Sequence, residues 1–233
     1  MSWASRRKTS YIVGVIVFFL VVIGGPVAYW YFSIPPTCDD GRQNQNETAI
    51  DRGGPCSILD ERILQSEAIL WTRSFRVRDG SYSAAAYVYN PNKEAGVRRA
   101  HYHFGLYDSQ NILVAEREGT IFIMPGAITP ILEPRSDTGN RVVSHTYFEF
   151  TDSFVWEKME NTALVLAINN KEISDATGMP RLVATVYNSS VKDLISPSFV
   201  AVIFDPAGNA FAASATTLER LPAGATSEVV FRW

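Results

Sequence analysis

Between Cys38 and Cys56 the chain reads CDDGRQNQNETAIDRGGPC. Four side chains in this stretch, Asp40, Asn44, Glu47 and Asp51, carry oxygens of the kind a hard cation such as Ca²⁺ selects, and the glycines between them allow the tight turns of a wrapping loop. The spacing is not that of the twelve-residue EF-hand. The alternative is a loop with no ion, its Asp and Asn side chains accepting hydrogen bonds from nearby backbone N–H groups. Cys38 and Cys56, the chain's two cysteines, stand close enough for a local disulfide in an oxidising compartment, although two cysteines alone prove nothing.

His101 and His103 lie two apart, so on a strand they share one face, and His145 falls further along. Such imidazoles could ligate Zn²⁺ or Cu²⁺ if the third approached the pair, but no cysteine or carboxylate cluster accompanies them. Other chemistry has little to start from. There is no G-x-S-x-G nucleophile elbow, no G-x-G-x-x-G and no Walker-type G-K-[ST], and nothing singles out a pair of carboxylates for glycoside cleavage. No catalytic or cofactor-binding residue is assigned, and the expectation is a protein that is not an enzyme. Net charge is −3, so there is no broad basic surface for phosphates, and nucleic acid is not expected as a partner.

The elements that would carry these residues begin with an apolar segment. From Tyr11 to Phe32 there is no charged residue, and about 20 residues at about 1.5 Å rise cover a hydrocarbon core. Arg6, Arg7 and Lys8 precede the run and Asp39 and Asp40 follow it, while Tyr29, Trp30 and Tyr31 suit an interfacial aromatic belt. The positive-inside rule then puts the N-terminus in the cytoplasm and everything after about Ser33 outside. A cleaved signal peptide is the rival; its apolar region is normally shorter, and Pro26 directly after Gly25 disfavours cleavage there.

Beyond residue 60 the pattern becomes short alternating runs separated by turn residues, as in Ser83 to Asn90, Arg99 to Tyr107 and Leu182 to Asn188. Self-comparison finds a repeat. YVYNPN at Tyr87 to Asn92 matches TVYNSS at Thr185 to Ser190, the segment ending at Ala115 matches the one ending at Ala213, and Pro125 answers Pro222, at an offset near 97 or 98. The alignment pairs Tyr102, Phe104 and Leu106 with Phe199, Ala201 and Ile203 as core-facing positions. Asp108 and Asp205 should open hairpin turns, and Asn90 and Asn188 should bond neighbouring backbone at strand ends. Glu133 to Ser144 reads as a long surface loop of the first copy, and His145 to Phe150 as that copy's last strand. Thr151 to Asn161 should join the copies with Trp156 packed at the junction, and Ala163 to Ile168 should open the second copy.

Two resemblances sharpen this. Phe104 to Asp108 spells FGLYD, and the repeated unit resembles the FxLYD family of bacterial extracytoplasmic immunoglobulin-like domains, with VIFD in the second copy a looser match. That resemblance implies a seven-strand-type sandwich outside the membrane and supplies no catalytic residues. The loop is similar to a repeat of secreted and envelope proteins with the pattern C-x-D-G-x-x-N-x-x-E-x-x-x-D-C-G-G-x-C-x-x-C. Arg52 and Leu59 stand where that repeat has two further cysteines. Their joint loss implies that those two pair with each other, leaving Cys38 to pair with Cys56.

The expected fold is therefore mainly β: one N-terminal transmembrane helix followed by two tandem immunoglobulin-like antiparallel β-sandwich modules. The expected divisions are a cytoplasmic N-terminus (1–10), a transmembrane helix in the lipid bilayer (11–33), the cysteine-bounded loop and linker (34–60), and sandwich modules at 61–157 and 158–233. The expected role is a single-pass cell-membrane protein whose extracytoplasmic modules bind an envelope protein partner or serve structurally. The alternative is a glycan or small-ligand binder using the long loop of the first module.

Overall fold

The computed structural model describes residues 3–33, 37–159, 166–175 and 179–233. The chain divides into two compact units, Met1–Cys56 and Ser57–Trp233.

In the first unit, α1 (Trp3–Phe19), a π-helical turn (Leu20–Gly24) and α2 (Gly25–Ser33) run end to end. Arg7–Trp30 is a helix of 24 residues that is long and apolar enough to cross a membrane, with none of its most apolar window buried against protein. At about 1.5 Å per residue it measures roughly 36 Å. The π turn sits directly before Pro26, which has no N–H to donate four residues back and whose ring would clash with the carbonyl there. Widening the preceding turn lets the helix pass the proline, and Gly25 N donates to the Val21 carbonyl. In the loop of the same unit Cys38 is bonded to Cys56, with Cα atoms 5.6 Å apart. Closing a loop of this length stabilises it by roughly 3 kcal/mol on chain-entropy grounds. Gly54 has φ +57°, and a Cβ on it would come 2.6 Å from the Asn46 carbonyl, so glycine is required there.

The second unit is mainly β, with several antiparallel sheets. Seven strands form the first copy: β1 (Ala68–Arg78), β2 (Ser81–Tyr89), β3 (Ala95–Tyr107), β4 (Leu113–Ile123), β5 (Ile128–Asp137), β6 (His145–Phe150) and β7 (Trp156–Lys158). One sheet has the order β1-β2-β5 and another β4-β3-β6, with β7 paired to the beginning of β3. Alternation decides which side chains meet. Tyr82, Ala84, Ala86 and Val88 of β2 and Ile131 of β5 share a core with Tyr102, Phe104 and Leu106 of β3 and Phe148 of β6.

The second copy comprises β8 (Leu166–Ser174), β9 (Arg181–Asn188), β10 (Leu194–Ile195), β11 (Ser198–Phe204), β12 (Ala210–Thr217), β13 (Arg220–Leu221) and β14 (Thr226–Arg232). Its sheets are β14-β9-β8, β11-β12 and β10-β13. Ala184, Val186, Phe199, Leu221, Val229 and Phe231 form its core.

The strand positions expected at Ser83 to Asn90, Arg99 to Tyr107, His145 to Phe150 and Leu182 to Asn188 fall on β2, β3, β6 and β9. The repeat is also written in matching hydrogen bonds. Asp108 N and Asp205 N donate to the Ile112 and Asn209 carbonyls, and each aspartate's Oδ1 accepts from the N–H two and four residues on. Asn111 and Gly208 take the same left-handed position in these turns, at φ 60° and 82°.

Two expectations need correcting, and a third falls partly outside the described residues. Trp156 is not at the junction between copies; it is buried with Ala95, Val97, Ala100 and Ile123 at one end of the first copy, because β7 returns to pair with β3. The copies meet instead where Trp71, Phe75, Ala85 and Leu132 pack on Val202, Ala210 and Ala213, so the outer face of β1-β2-β5 is covered by β11-β12. Glu133 to Ser144 is not one long loop, since β5 runs to Asp137 and the remainder is tied down. Thr138 N donates to the Gly80 carbonyl, Arg141 pairs with Asp108, and Ser144 N donates to the Tyr107 carbonyl. Of Ala163 to Ile168, residues 163–165 lie outside the described residues; Leu166 opens β8.

Candidate functional site

The loop between Cys38 and Cys56 gathers its acidic side chains by local backbone bonding. Asp51, itself at φ 55°, reaches back so that its carboxylate accepts from the backbone N–H of Asp40 and Gly41 at 3.0 Å. Asp40 accepts from Arg42 N at 2.8 Å and from Asn44 Nδ2 at 2.8 Å. That amide, followed by the backbone donors, holds the Asp40 carboxyl below its ordinary value. Glu47 is buried; one of its oxygens accepts from Asn44 N at 3.1 Å, and the other lies 3.1 Å from Cys56 Sγ, a half-cystine with no proton to donate. Asn44 Oδ1 is buried without a hydrogen-bond partner.

Asp40 and Asn44 are thus side by side, Asp51 caps the loop's first turn, and Glu47 turns towards the disulfide. Among the described residues, the one group of three metal-capable side chains with converging ligand atoms is Cys38, Glu47 and Cys56. Its two sulfurs are spent in the disulfide and offer no thiolate. The carboxylates of Asp40, Glu47 and Asp51 each face backbone N–H groups, which is what the ion-free reading of the loop requires.

The histidines do not converge. His101 pairs with Thr120 across the sheet, and its Nδ1 is 2.9 Å from the threonine hydroxyl. His103 sits between two glutamates, with Nε2 3.5 Å from Glu116 and Nδ1 3.7 Å from Glu149. His145 pairs with Tyr107, six residues along β3 from His101, and stacks on its ring at 5.3 Å. At about 3.4 Å per residue, that puts the outer two imidazoles about 20 Å apart in strand position.

The FGLYD segment, by contrast, is a connected piece of structure. Phe104 and Leu106 are fully buried, and Phe104 packs on Phe148 with ring centroids 4.8 Å apart. Gly105 faces outward, where the Tyr107 ring folds over it so closely that a Cβ would come 2.7 Å from Cε2. Asp108 accepts from Gln110 N and Ile112 N and pairs with Arg141 at 2.7 Å; these bonds, that from Ile112 foremost, hold its carboxyl below the ordinary value. Deeper in, the Tyr102 hydroxyl donates to Glu133 Oε1 at 2.6 Å, and burial together with that carboxylate pushes the phenol upward.

Asn90 and Asn188 are fully buried and reach further than the sequence pattern conveys. Asn90 Nδ2 donates to the Ala95 and Met124 carbonyls and its Oδ1 accepts from Asn92. Asn188 Nδ2 donates to the Lys192, Leu221 and Pro222 carbonyls and its Oδ1 accepts from Ser190. Each asparagine ties its own strand end to a chain segment more than thirty residues later. Sequence reasoning had the asparagines but not their distant partners, and it missed the contact of Trp71 and Tyr87 with Phe204, at 6.3 and 6.2 Å. An aromatic at an outward-facing position on each of β1 and β2, where Trp71 and Tyr87 pair directly, was the available signal. Set beside known proteins, the chain matches no family profile and no curated protein.

Proposed function

We propose that this is a single-pass membrane protein that displays two immunoglobulin-like β-sandwich modules on the extracytoplasmic side, where they act without catalysis as an interaction or structural module of the cell envelope. The observation that carries the reading is the helix Arg7–Trp30, apolar on every face and covered by no protein. A soluble helix of that composition would bury one side. Two further features support it. The cysteines just beyond the helix are joined, and disulfides persist in oxidising compartments. The basic residues also precede the span, as cytoplasmic flanks do. The two copies, each with a three-stranded sheet facing a second sheet across an apolar core, support an immunoglobulin-like arrangement. The pinning of residues 138–144 weighs against a glycan-binding role for that loop.

The test is labelling with an amine reagent that cannot cross membranes, on cells stripped of wall and outer coat. Lys93, Lys171 and Lys192 should be modified in intact cells and Lys8 only after permeabilisation. Labelling of Lys8 alone would overturn the orientation.

A further inference from the structure

Glu47 is only 5% exposed, and the loop treats its two carboxylate oxygens differently. Oε2 accepts from Asn44 N, whereas Oε1 faces Cys56 Sγ at 3.1 Å, and among the described residues no N–H or O–H donor reaches it. A buried carboxylate oxygen normally faces a donor or a cation, because leaving it without either forfeits its hydration. A disulfide sulfur supplies neither; it has lone pairs and no proton. Opening the disulfide changes this contact. As a thiol Cys56 has a proton to give to Oε1, and as a thiolate it can share a cation with it.

Opening it would not scatter the three groups, because each is held by other bonds. Cys56 N donates to the Gly53 carbonyl at 3.0 Å, and Glu47 N to the Asn44 carbonyl at 2.8 Å. Gly53 and Gly54 pack directly on Thr48 and on the Asn46 carbonyl, the residues on either side of Glu47, so the turn that carries Cys56 and the turn that carries Glu47 brace each other. Cys38 is fixed through the residues that follow it, since Asp40 N and Gly41 N donate to the Asp51 carboxylate. The Cys38 and Cys56 sulfurs and a Glu47 oxygen all lie within 4.8 Å of one another. In tetrahedral zinc, with Zn–S about 2.3 Å and Zn–O about 2.1 Å, neighbouring ligand atoms stand roughly 3.6 to 3.8 Å apart. Rotation of the two cysteine side chains is enough to reach that spacing once the bond between them is broken.

We propose that the loop has two alternative closures: the disulfide when oxidised and, after reduction by a dithiol, one Zn²⁺ held by the Cys38 and Cys56 thiolates and the Glu47 carboxylate, with water in the fourth position. Two thiolates in the donor set select a borderline-soft ion such as zinc over calcium or magnesium. Cys38 is the half-exposed partner of the cystine and Cys56 is 1% exposed, so the reductant's thiolate attacks Cys38 Sγ, the S–S bond breaks, and Cys56 leaves as a thiolate beside Glu47. The reductant's second thiol then displaces Cys38 and becomes half of the reductant's own disulfide. Two electrons have passed from the dithiol to the cystine, and its two protons go to solvent as zinc takes both thiolates. Asp51 is a positioning residue in this scheme, since it holds the Cys38 end of the loop and contributes no ligand.

The probe is zinc itself, added to the purified full chain in nanodiscs after reduction with a phosphine and removal of the reductant under nitrogen. Calorimetry should show one saturable site per chain in the reduced protein and none in the oxidised protein. Cobalt(II) in place of zinc should give the near-ultraviolet charge-transfer band of thiolate ligation, and zinc should discharge it. Glu47→Gln should weaken zinc binding at least about tenfold, since loss even of a ligand's hydrogen-bonding partner costs about 10- to 100-fold. Asp39→Ala, which removes an exposed carboxylate beside Cys38, should leave the affinity unchanged. X-ray absorption at the zinc edge of the unsubstituted protein decides the ligands if Glu47→Gln does not fold, and two sulfurs with two oxygens are expected. No saturable site after reduction, equal binding by the oxidised chain, or unchanged affinity in Glu47→Gln overturns the proposal. A shell of four sulfurs would overturn it too, because that takes the thiolates of two chains.

Discussion

Replacing Asn90 with alanine should cost the first copy a large share of its stability. The side chain makes four hydrogen bonds, donating to Ala95 O at 2.7 Å and Met124 O at 3.0 Å and accepting from Asn92 N and Nδ2 at 3.0 Å. A net contribution of about 1 kcal/mol per bond gives a loss of about 3 to 4 kcal/mol, against whole-domain stabilities of roughly 5 to 15. The figure is not softened by solvent, since Asn90 and Ala95 are both buried. Urea unfolding of the full chain in micelles, followed by tryptophan fluorescence, would measure it. Asn90→Asp sharpens the test, because it keeps an acceptor for Asn92 but sets a carboxylate oxygen against two carbonyls. Such a group has a raised pKa in the folded state, so the native form takes up the proton more readily and the variant should regain stability as pH falls. An Asn90→Ala loss below about 1 kcal/mol would refute the claim that this asparagine ties the two segments together.

Asp108 and Asp205 both have carboxyls held below the ordinary value, first by backbone N–H donors, so their stabilisation should be complete above the unfolded aspartate range and vanish as pH drops through their folded values. Asp108→Asn with Asp205→Asn should therefore lower the urea midpoint at neutral pH and flatten its acid limb. Gly105→Ala should push the Tyr107 ring off its site and break its stacking on His145, at about 1 kcal/mol and with a displaced His145 ring resonance in NMR. In the cysteine loop, Asp51→Ala should speed exchange of the Asp40 and Gly41 amides, and a calcium or terbium titration should show no saturable binding; saturable binding weakened by Asp40→Ala would favour the cation reading.

Much of the local structure was legible because it depends on short-range rules. An uncharged run of about 20 residues reads as a spanning helix without its neighbours. The alternation of Tyr102, Phe104 and Leu106 fixes a strand and its inner face, and an aspartate at the first position of DSQN or DPAGN marks a turn. The repeat could be found by comparing the chain with itself, since equivalent turns need equivalent residue types at positions such as Asn111 and Gly208. The candidate cation site was legible only as a list of oxygen donors. Whether Asp40 and Asp51 face a shared centre or the backbone depends on how the loop folds back, and the spacing does not encode that.

The sequence by itself therefore determined the apolar helix, the β character, the duplication and the residues that hold each hairpin, all consequences of periodicity and of individual backbone preferences. Only the tertiary structure decided that Trp156 closes the first copy and that the outer face of β1-β2-β5 is buried by β11-β12. Those outcomes come from pairings between strands far apart in the chain. Such pairings are chosen by which apolar faces fit together, and a strand's own pattern shows that it has a face to bury without naming what will cover it.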